Sequence, residues 1–183
     1  MQGRRKREIL DQGEIDRAVR RISYEIIERN KGAGDLIIIG IPTPGPYLAQ
    51  RICSLIEEVE GVKVPTGSLD ITFYRDDIHE KPKPLPKDTD LPTNIQDKTV
   101  VLVDDVLFTG RTIRAALDAL MDHGRPSKVQ LAVLVDRGHR ELPVRADFVG
   151  RNIPTGRHEQ IHVQLREMGN DEDQVFITEG EIE

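Results

Sequence analysis

The chain has 183 residues, of which 37% are hydrophobic and 32% charged, and it contains no tryptophan. This composition excludes a fibrous or largely disordered protein and predicts one soluble globular domain spanning residues 1–183. No apolar run approaches the roughly 20 residues of a membrane span, and the basic N-terminus is followed by no long apolar stretch. With a single cysteine, the sequence favours a reducing cytoplasm and no membrane partner.

The net charge of −6 is concentrated near the C-terminus. Residues 166–183 hold seven acids and one arginine, so the rest of the chain sums to zero. Basic residues outnumber acids at 4–21 and at 137–158, so the overall acidity does not exclude a polyanionic partner such as RNA. We interpret residues 1–10 as a basic tail and residues 166–183 as a solvated, partly ordered acidic segment.

Helix and strand patterns alternate along the first part of the chain. Residues 11–31 predict a helix with Asp11 as its N-cap, because isoleucine and valine recur at spacings of three and four. The apolar run at 36–41 is typical of a strand buried on both faces, and a second helix pattern extends from Leu48 to Val59. Residues 68–74 alternate apolar and polar side chains, which predicts a half-buried strand.

The second part of the chain continues this alternation after a long loop. Residues 75–98 contain four prolines and few apolar side chains, which indicates a long surface loop that is functional or disordered. A buried strand then ends on Asp104 and Asp105, and a helix pattern follows from Ile113 to Gly124. Further strands are expected at 129–135, 146–149, 160–165 and 175–178. The alternation predicts an α/β fold with a central, mainly parallel sheet, whose ligands bind beyond the carboxyl ends of the strands.

The stretch VVLVDDVLFTGRT at 100–112 carries the most specific chemistry. Two adjacent carboxylates can hold Mg²⁺, act as acid and base, or accept hydrogen bonds from a diol. The turn at 109–112 narrows this choice, because N–H groups at a helix start bind anions and Gly110 lets the backbone approach one. A sugar phosphate satisfies both features. The alternative is an ordinary polar turn with a capping threonine.

The same stretch resembles the signature of type I phosphoribosyltransferases, in which a strand, two acids and a loop of Thr, Gly and Thr bind phosphoribosyl pyrophosphate (PRPP). The segments 26–32, 70–77 and 124–155 resemble a branch of that family that combines uracil phosphoribosyltransferase activity with regulation of pyrimidine operons. This resemblance covers nearly the whole chain in order. It implies the type I phosphoribosyltransferase fold, with a parallel core sheet flanked by helices and a small hood formed by the later strands.

The resemblance implies that uracil and PRPP react to give UMP and pyrophosphate. Asp104 and Asp105 would then hold the ribose hydroxyls, Arg75 would face the anionic substrate, and uracil would lie near residues 135–139. The loop at 75–98 would form a flexible lid that excludes water before the reaction. Mg²⁺ would arrive with PRPP, held largely by substrate and water rather than directly by the protein. The residues implied in PRPP or UMP binding are Thr43, Gly45, Asp104, Asp105, Thr109, Gly110, Arg111, Thr112 and Arg137.

The resemblance further implies UMP-dependent binding to a pyrimidine-operon mRNA leader by a homodimer or homotetramer. The implied RNA contacts are Arg20, Tyr24, His139, Arg140, Arg145 and Arg151. At the positions of Arg20 and Tyr24 the family has a threonine and a histidine. Arginine can bind phosphate and tyrosine can stack on a base, so an RNA role is compatible with both changes. A transferase without any RNA role remains a second interpretation.

The loop Pro42-Thr43-Pro44-Gly45 departs from the family pattern, because Pro44 stands where the family has an arginine. The change removes a cation and a backbone donor from the expected pyrophosphate site. An alternative interpretation therefore remains open, in which the chain is a UMP-sensing RNA-binding regulator with little or no transferase activity. Since cis peptide bonds are less unfavourable before proline, we predict that the prolines preset a loop containing a cis bond.

Overall fold

The strands and helices alternate through most of the chain in the computed structural model, which describes residues 6–77 and 88–179. The strands are β1 (Lys6–Leu10), β2 (Leu36–Gly40), β3 (Thr66–Ser68), β4 (Thr99–Leu107), β5 (Lys128–Asp136), β6 (Phe148–Asn152), β7 (Glu159–Gln164) and β8 (Gln174–Glu179). The helices are α1 (Gln12–Asn30), α2 (Gly45–Glu60) and α3 (Arg111–Met121), and short 3-10 helices lie at Thr72–Tyr74 and Arg166–Met168. No helix in the described ranges is long and apolar enough to cross a membrane.

Five parallel strands form the central sheet, in the order β3-β2-β4-β5-β6. Side chains alternate between the two faces of a strand, so β2 and β4 contribute to two core layers. Ile38 and Val101 pack with α1 and α2 on one face, whereas Ile39 and Leu102 pack with α3 on the other. This arrangement confirms the predicted α/β fold and places the carboxyl ends of all five strands at one edge.

The helix boundaries follow local sequence signals. Asp11 caps α1 as predicted, because its carboxylate accepts the N–H of Glu14 while the Glu14 carboxylate accepts the N–H of Asp11. The left-handed residue that ends α1 is Lys31, one position before the predicted Gly32. Gly61 ends α2 in the left-handed conformation, which a residue without Cβ adopts readily.

A second, antiparallel sheet of three strands has the order β1-β8-β7 and forms the hood. The interpretation of residues 1–10 as a tail is wrong for residues 6–10, which pair with β8. The acidic segment is likewise more than a solvated tail, because Val175 and Ile177 are buried in the core between the two sheets. These pairings join residues far apart in the sequence, and local composition does not reveal them.

The predicted strand at 68–74 is wrong for residues 69–74, since β3 spans Thr66–Ser68. The Asp70 carboxylate accepts hydrogen bonds from the Thr72 N–H and from the Thr72 hydroxyl, and the chain turns into a 3-10 helix. A short aspartate side chain that bonds the backbone two residues ahead competes with strand formation in this way. The expected lid at 75–98 lies partly outside the described residues, which include 75–77 and 88–98.

Arg51 on α2 joins the core to the hood. Its guanidinium Nη1 lies 2.6 Å from Asp173 Oδ2, and its Nη2 lies 2.6 Å from Glu167 Oε2. The side chain of Asp173 is only 3% exposed. The hydrogen bond from Arg51 lowers the pKa of Glu167. Burial alone would raise the pKa of Asp173, but hydrogen bonds from Arg51 and from the N–H of Arg166 lower it.

We expect Arg51→Met to reduce the free energy of unfolding by about 3 kcal/mol at pH 7, because it leaves a buried carboxylate without its partner. Because the pKa values of both acids are lowered in the folded state, the stabilisation is present above their ordinary pKa of about 4. It is lost as the pH falls through the lowered values. Urea denaturation at pH 7 and pH 3 measures both effects.

Arg114→Met is the matched control, since Arg114 pairs with Asp118 on the surface of α3 with both side chains about half exposed. That variant should lose less than about 1 kcal/mol. Equal losses in the two variants, or a loss in Arg51→Met that does not shrink at pH 3, would contradict the role given to Arg51.

Candidate active site

Asp104 and Asp105 lie within β4 rather than at its end. The strand continues to Leu107, and Asp104 pairs with Val133 of β5. Asp104 is buried, with 7% of its surface exposed, and Asp105 is partly exposed. Each carboxylate accepts the N–H of the following residue at 2.9 Å, from Asp105 and Val106 respectively. Both carboxylates are therefore held in place before any ligand binds.

This pair carries a strong electrostatic penalty. Burial, and then the charge of the neighbouring Asp105, raise the pKa of Asp104 well above the ordinary value for aspartate, while Arg75 opposes the rise. Burial also raises the pKa of Asp105, against its hydrogen bonds with Asp104 and with the N–H of Val106. A buried pair of like charges next to an arginine is the kind of arrangement found at functional sites.

The turn after β4 forms a cradle at the N-terminus of α3. Gly110 precedes the helix with φ +93°, in the left-handed region, and no side chain caps the helix there. A Cβ at Gly110 would lie 3.1 Å from Val144 Cβ, so a larger residue would disturb this turn. The Thr109 hydroxyl accepts the N–H of Arg111 at 3.3 Å. An uncapped helix start with a hydroxyl beside it suits a phosphate group.

A cleft of about 270 Å³ opens over this cradle. One wall consists of residues 75–77 and the other of residues 106–113. The structure thus brings Arg75 together with the predicted phosphate-binding residues 109–112. Asp104 lies close enough to Arg75 for the arginine to lower the pKa of its carboxyl.

The loop at 42–45 approaches the acids from β2. The peptide bonds Pro42–Thr43 and Thr43–Pro44 are both cis, which includes the predicted prolyl bond. A Cβ at Gly45 would lie 2.6 Å from the carbonyl oxygen of Val103, the residue before Asp104, so only glycine fits there. The predicted Thr43 and Gly45 therefore lie at the same edge of the sheet as the two acids.

A second and more open cavity, of about 560 Å³, lies beyond β5 and β6. It is lined by Asp136, Arg137, Gly138, His139, Arg140, Asn152, Pro154 and Thr155. The lining contains four of the five residues, 135–139, near which uracil is expected. Asn152 was not predicted as a site residue, because it belongs to no local motif and meets Asp136 only through the pairing of β5 with β6.

The structure does not support the substrate contact predicted for Arg137. Its guanidinium is buried and donates hydrogen bonds to the Thr155 hydroxyl and to the carbonyl oxygens of Gly156 and Glu159. It also stacks over the ring of Phe108 at 3.9 Å. Arg137 therefore fixes the loop after β6 to the turn after β4.

Arg140 is likewise held inside the protein. Its guanidinium donates to the carbonyl oxygens of Phe108 and Val144, both at 2.8 Å, and to the Asp136 carboxylate. This geometry argues against the RNA contact predicted for Arg140. His139 Nε2 donates to the carbonyl oxygen of Thr155, and the His139 ring meets Phe108 edge-on. Charge alone could not distinguish such loop-fixing side chains from surface ones.

The other predicted RNA contacts lie on the surface. Arg20 and Tyr24 are one turn apart on the exposed face of α1, and Arg145 is exposed in the loop before β6. Arg151 on β6 is exposed and forms an ion pair with Glu14 at 3.2 Å. For these four side chains RNA binding remains a prediction.

Within residues 6–77 and 88–179, no group of three or more His, Cys, Asp or Glu side chains is placed to hold a metal ion. Direct coordination by a protein cluster is therefore unsupported for the described part of the chain. The two acids of β4 remain able to meet a cation that a substrate brings, through water or hydroxyl groups.

Comparison with known proteins agrees with this geometry. A family model described as a phosphoribosyl transferase domain matches residues 6–167. The Bifunctional protein PyrR of Limosilactobacillus fermentum is 59% identical over 169 residues, covering 91% of this chain and 94% of its own. The protein of the same name from Brevibacillus brevis is 63% identical over 161 residues, covering 87% and 90%.

Among solved structures, the hypoxanthine phosphoribosyltransferase of Trypanosoma cruzi superposes with a TM-score of 0.71. The alignment covers 96% of this chain and 97% of that one at 18% sequence identity. At this identity the likeness concerns the fold alone.

We expect Asp104→Asn to stabilise the folded protein at pH 7. The pKa of Asp104 is higher in the folded state than in the unfolded state, so ionising this carboxyl destabilises the folded protein. The destabilisation is absent below the unfolded pKa of about 3.9, grows between the two pKa values, and persists above them. The variant should therefore have a higher Tm than the parent at pH 7 and the same Tm as the parent at pH 3. Asp118→Asn on the surface of α3 is the control. A gain of equal size at both pH values would refute the electrostatic explanation.

Proposed function

The chain belongs to the phosphoribosyl transferase domain family and, within it, to the bifunctional proteins PyrR. We propose that it forms UMP and pyrophosphate from uracil and PRPP, and that it regulates pyrimidine genes by binding RNA. The fold is that of type I phosphoribosyltransferases. The observation that carries the enzymatic half is the pair of adjacent acids on β4, followed by the N-terminus of α3 at Arg111.

PRPP fits this arrangement from end to end. Its 5′-phosphate binds the cradle at 109–112, because backbone N–H groups at the start of a helix favour an anion. The ribose 2′- and 3′-hydroxyls donate hydrogen bonds to Asp104 and Asp105. The pyrophosphate lies towards Thr43 and Gly45, and uracil enters the cavity beside residues 136–139.

The two acids also act on the reaction itself. As the bond between ribose C1 and pyrophosphate breaks, the sugar ring gains oxocarbenium character and positive charge. Carboxylates fixed beside the ring stabilise that charge more than they stabilise the neutral substrate, which lowers the barrier. Arg75, on the opposite wall of the cleft, supplies positive charge towards the anionic substrate.

Mg²⁺ belongs to the substrate in this proposal. The described residues offer no protein cluster for a metal, whereas a pyrophosphate binds Mg²⁺ well through its own oxygens. A Mg²⁺–PRPP complex would bring the cation with it, and Asp104 and Asp105 would meet it only through hydroxyls or water. The cation neutralises charge on the departing pyrophosphate.

The alternative of a UMP sensor with little or no turnover is not favoured. Pro44 does remove the loop arginine, but the acids, the cradle and Gly45 are all in place, and the similar proteins are named bifunctional. The second half of the function is UMP-dependent binding to a pyrimidine-operon mRNA leader. A cytoplasmic homodimer or homotetramer would present two or more copies of α1, with Arg20 and Tyr24, to one RNA.

The first test is formation of UMP from uracil and PRPP with Mg²⁺, comparing the parent with Asp105→Asn. We expect kcat to fall about 10²- to 10³-fold, the range for losing one preorganised electrostatic group. Circular dichroism should show an unchanged fold, because the change preserves shape at a partly exposed position.

Asp118→Asn makes the same chemical change on the surface of α3 and should leave kcat unaltered. If Asp105→Asn retained most of its turnover, the assignment of the ribose hydroxyls to these acids would be wrong. A parent protein that binds UMP but forms none would instead restore the sensor alternative.

The RNA half predicts that Arg20→Ala weakens leader binding in the presence of UMP and leaves UMP formation intact. Loss of one phosphate contact should reduce the slope of log K against log salt by about 1. Fluorescence anisotropy at several salt concentrations measures that slope. Arg114→Ala is the control, since α3 lies on the opposite face of the sheet from α1. Parental binding by Arg20→Ala would remove α1 from the interface.

A further inference from the structure

Two consecutive acids that the mechanism does not use, Asp76 and Asp77, lie in the wall of the cleft. Both bind arginines of that cleft. Arg75 donates to the Asp77 carboxylate through Nε and Nη2 at 2.8 and 2.9 Å. Arg111 Nη1 donates to Asp76 Oδ2 at 2.6 Å. In the free protein, internal carboxylates therefore bind two guanidinium groups that border the proposed phosphate site.

The bond between Arg111 and Asp76 joins the two walls of the cleft. Asp76 follows the 3-10 helix at 72–74, whereas Arg111 is the first residue of α3. Arg111 Nε also donates to Glu141 at 3.2 Å, but Glu141 belongs to the loop already attached to the cradle, since its N–H donates to the carbonyl oxygen of Thr109. Of these two bonds of Arg111, it is therefore the one to Asp76 that crosses the cleft.

Carboxylate and phosphate are chemically similar partners for a guanidinium, because each offers anionic oxygens to the same planar set of donors. The side chains of Arg111 and Asp76 are 46% and 37% exposed, so their ion pair is weak and can exchange. A phosphate dianion at the cradle, beside the helix N-terminus, competes with Asp76 for Arg111.

We propose that Asp76 is an internal competitor of the ligand phosphate. Its carboxylate occupies Arg111 in the free protein, and a phosphorylated ligand must displace it to bind fully. Asp76 thereby raises the concentration of UMP or PRPP needed to fill the site, whereas a ligand without a 5′-phosphate leaves the cross-cleft bond intact and is not affected by it. The inference rests on the proposed function for the identity of the ligand.

The test is UMP affinity by isothermal titration calorimetry for the parent and Asp76→Asn. We expect Asp76→Asn to lower the Kd for UMP about two- to five-fold, the effect of releasing one exposed ion pair. Uridine, which lacks the phosphate, should bind both proteins equally. Asp118→Asn, which removes one negative charge from the surface of α3, should bind UMP with the Kd of the parent.

A double-mutant cycle separates competition from simple charge repulsion. In an Arg111→Met background, Asp76→Asn should no longer tighten UMP binding, because the guanidinium for which Asp76 competes is gone. The same tightening in that background would overturn the proposal. So would an unchanged or weaker Kd in Asp76→Asn alone, or equal tightening of uridine.

Inorganic phosphate serves as a probe that does not depend on the proposed reaction. Its affinity should also rise in Asp76→Asn, and a fall or no change would contradict the competition. If the parent formed no UMP from uracil and PRPP, the transferase proposal would fail. The phosphate titration would still decide whether Asp76 competes with phosphate for Arg111.

Discussion

Two like-charged carboxylates held side by side inside a buried strand form the constraint on which the candidate site depends. Asp104 and Asp105 are adjacent in the sequence, and β4 is held by pairing with β2 as far as Val103 and with β5 as far as Leu107. Their own hydrogen bonds to the backbone then fix the carboxylates. The apolar residues of β4 and β2 on both faces of the sheet provide the stability that offsets this electrostatic penalty. The two carboxylates of the site are thus held by the rigid centre of the sheet rather than by a loop.

Arginine side chains connect this rigid centre to the loops around it. Arg137 and Arg140 use backbone carbonyl oxygens to fix the turn after β4 against the loops after β5 and β6. Arg111 and Arg75 instead bind carboxylates at the surface of the cleft. Buried guanidinium groups with several acceptors hold the shape of the site, whereas the exposed pairs can exchange partners when an anion arrives. The same residue type therefore has a structural and a ligand-responsive role within one small region.

Local signals explain what the sequence could predict. Several signals lie within short stretches of sequence: the periodicity of α1 and its Asp11 cap, the apolar runs of β2, β4 and β5, and the acids followed by 109–112. For this reason the fold class and the centre of the candidate site could be predicted. The strand at 68–74 was overpredicted, because alternation carries no information about the hydrogen bonds of Asp70.

Contacts between distant residues could not be predicted in this way. The pairing of β1 with β8, the bonds of Arg51 to Asp173 and the bond between Arg111 and Asp76 each depend on the completed fold. The family resemblance implied RNA contact for Arg140, whereas its partners are largely backbone atoms that a short sequence segment does not reveal. RNA contact remains a prediction for four side chains that the structure leaves exposed, Arg20, Tyr24, Arg145 and Arg151.

The order of strands in the hood has a consequence for synthesis on the ribosome. β8 is the middle strand of that sheet, and both β1 and β7 pair only with it among the described strands. During translation β1 emerges first and β8 emerges after every other described strand, so β1 must wait unpaired while the parallel sheet is made. The hood can therefore close only after the last described strand has left the exit tunnel. A nascent chain would contain the two acids and the phosphate cradle before it contained a completed hood.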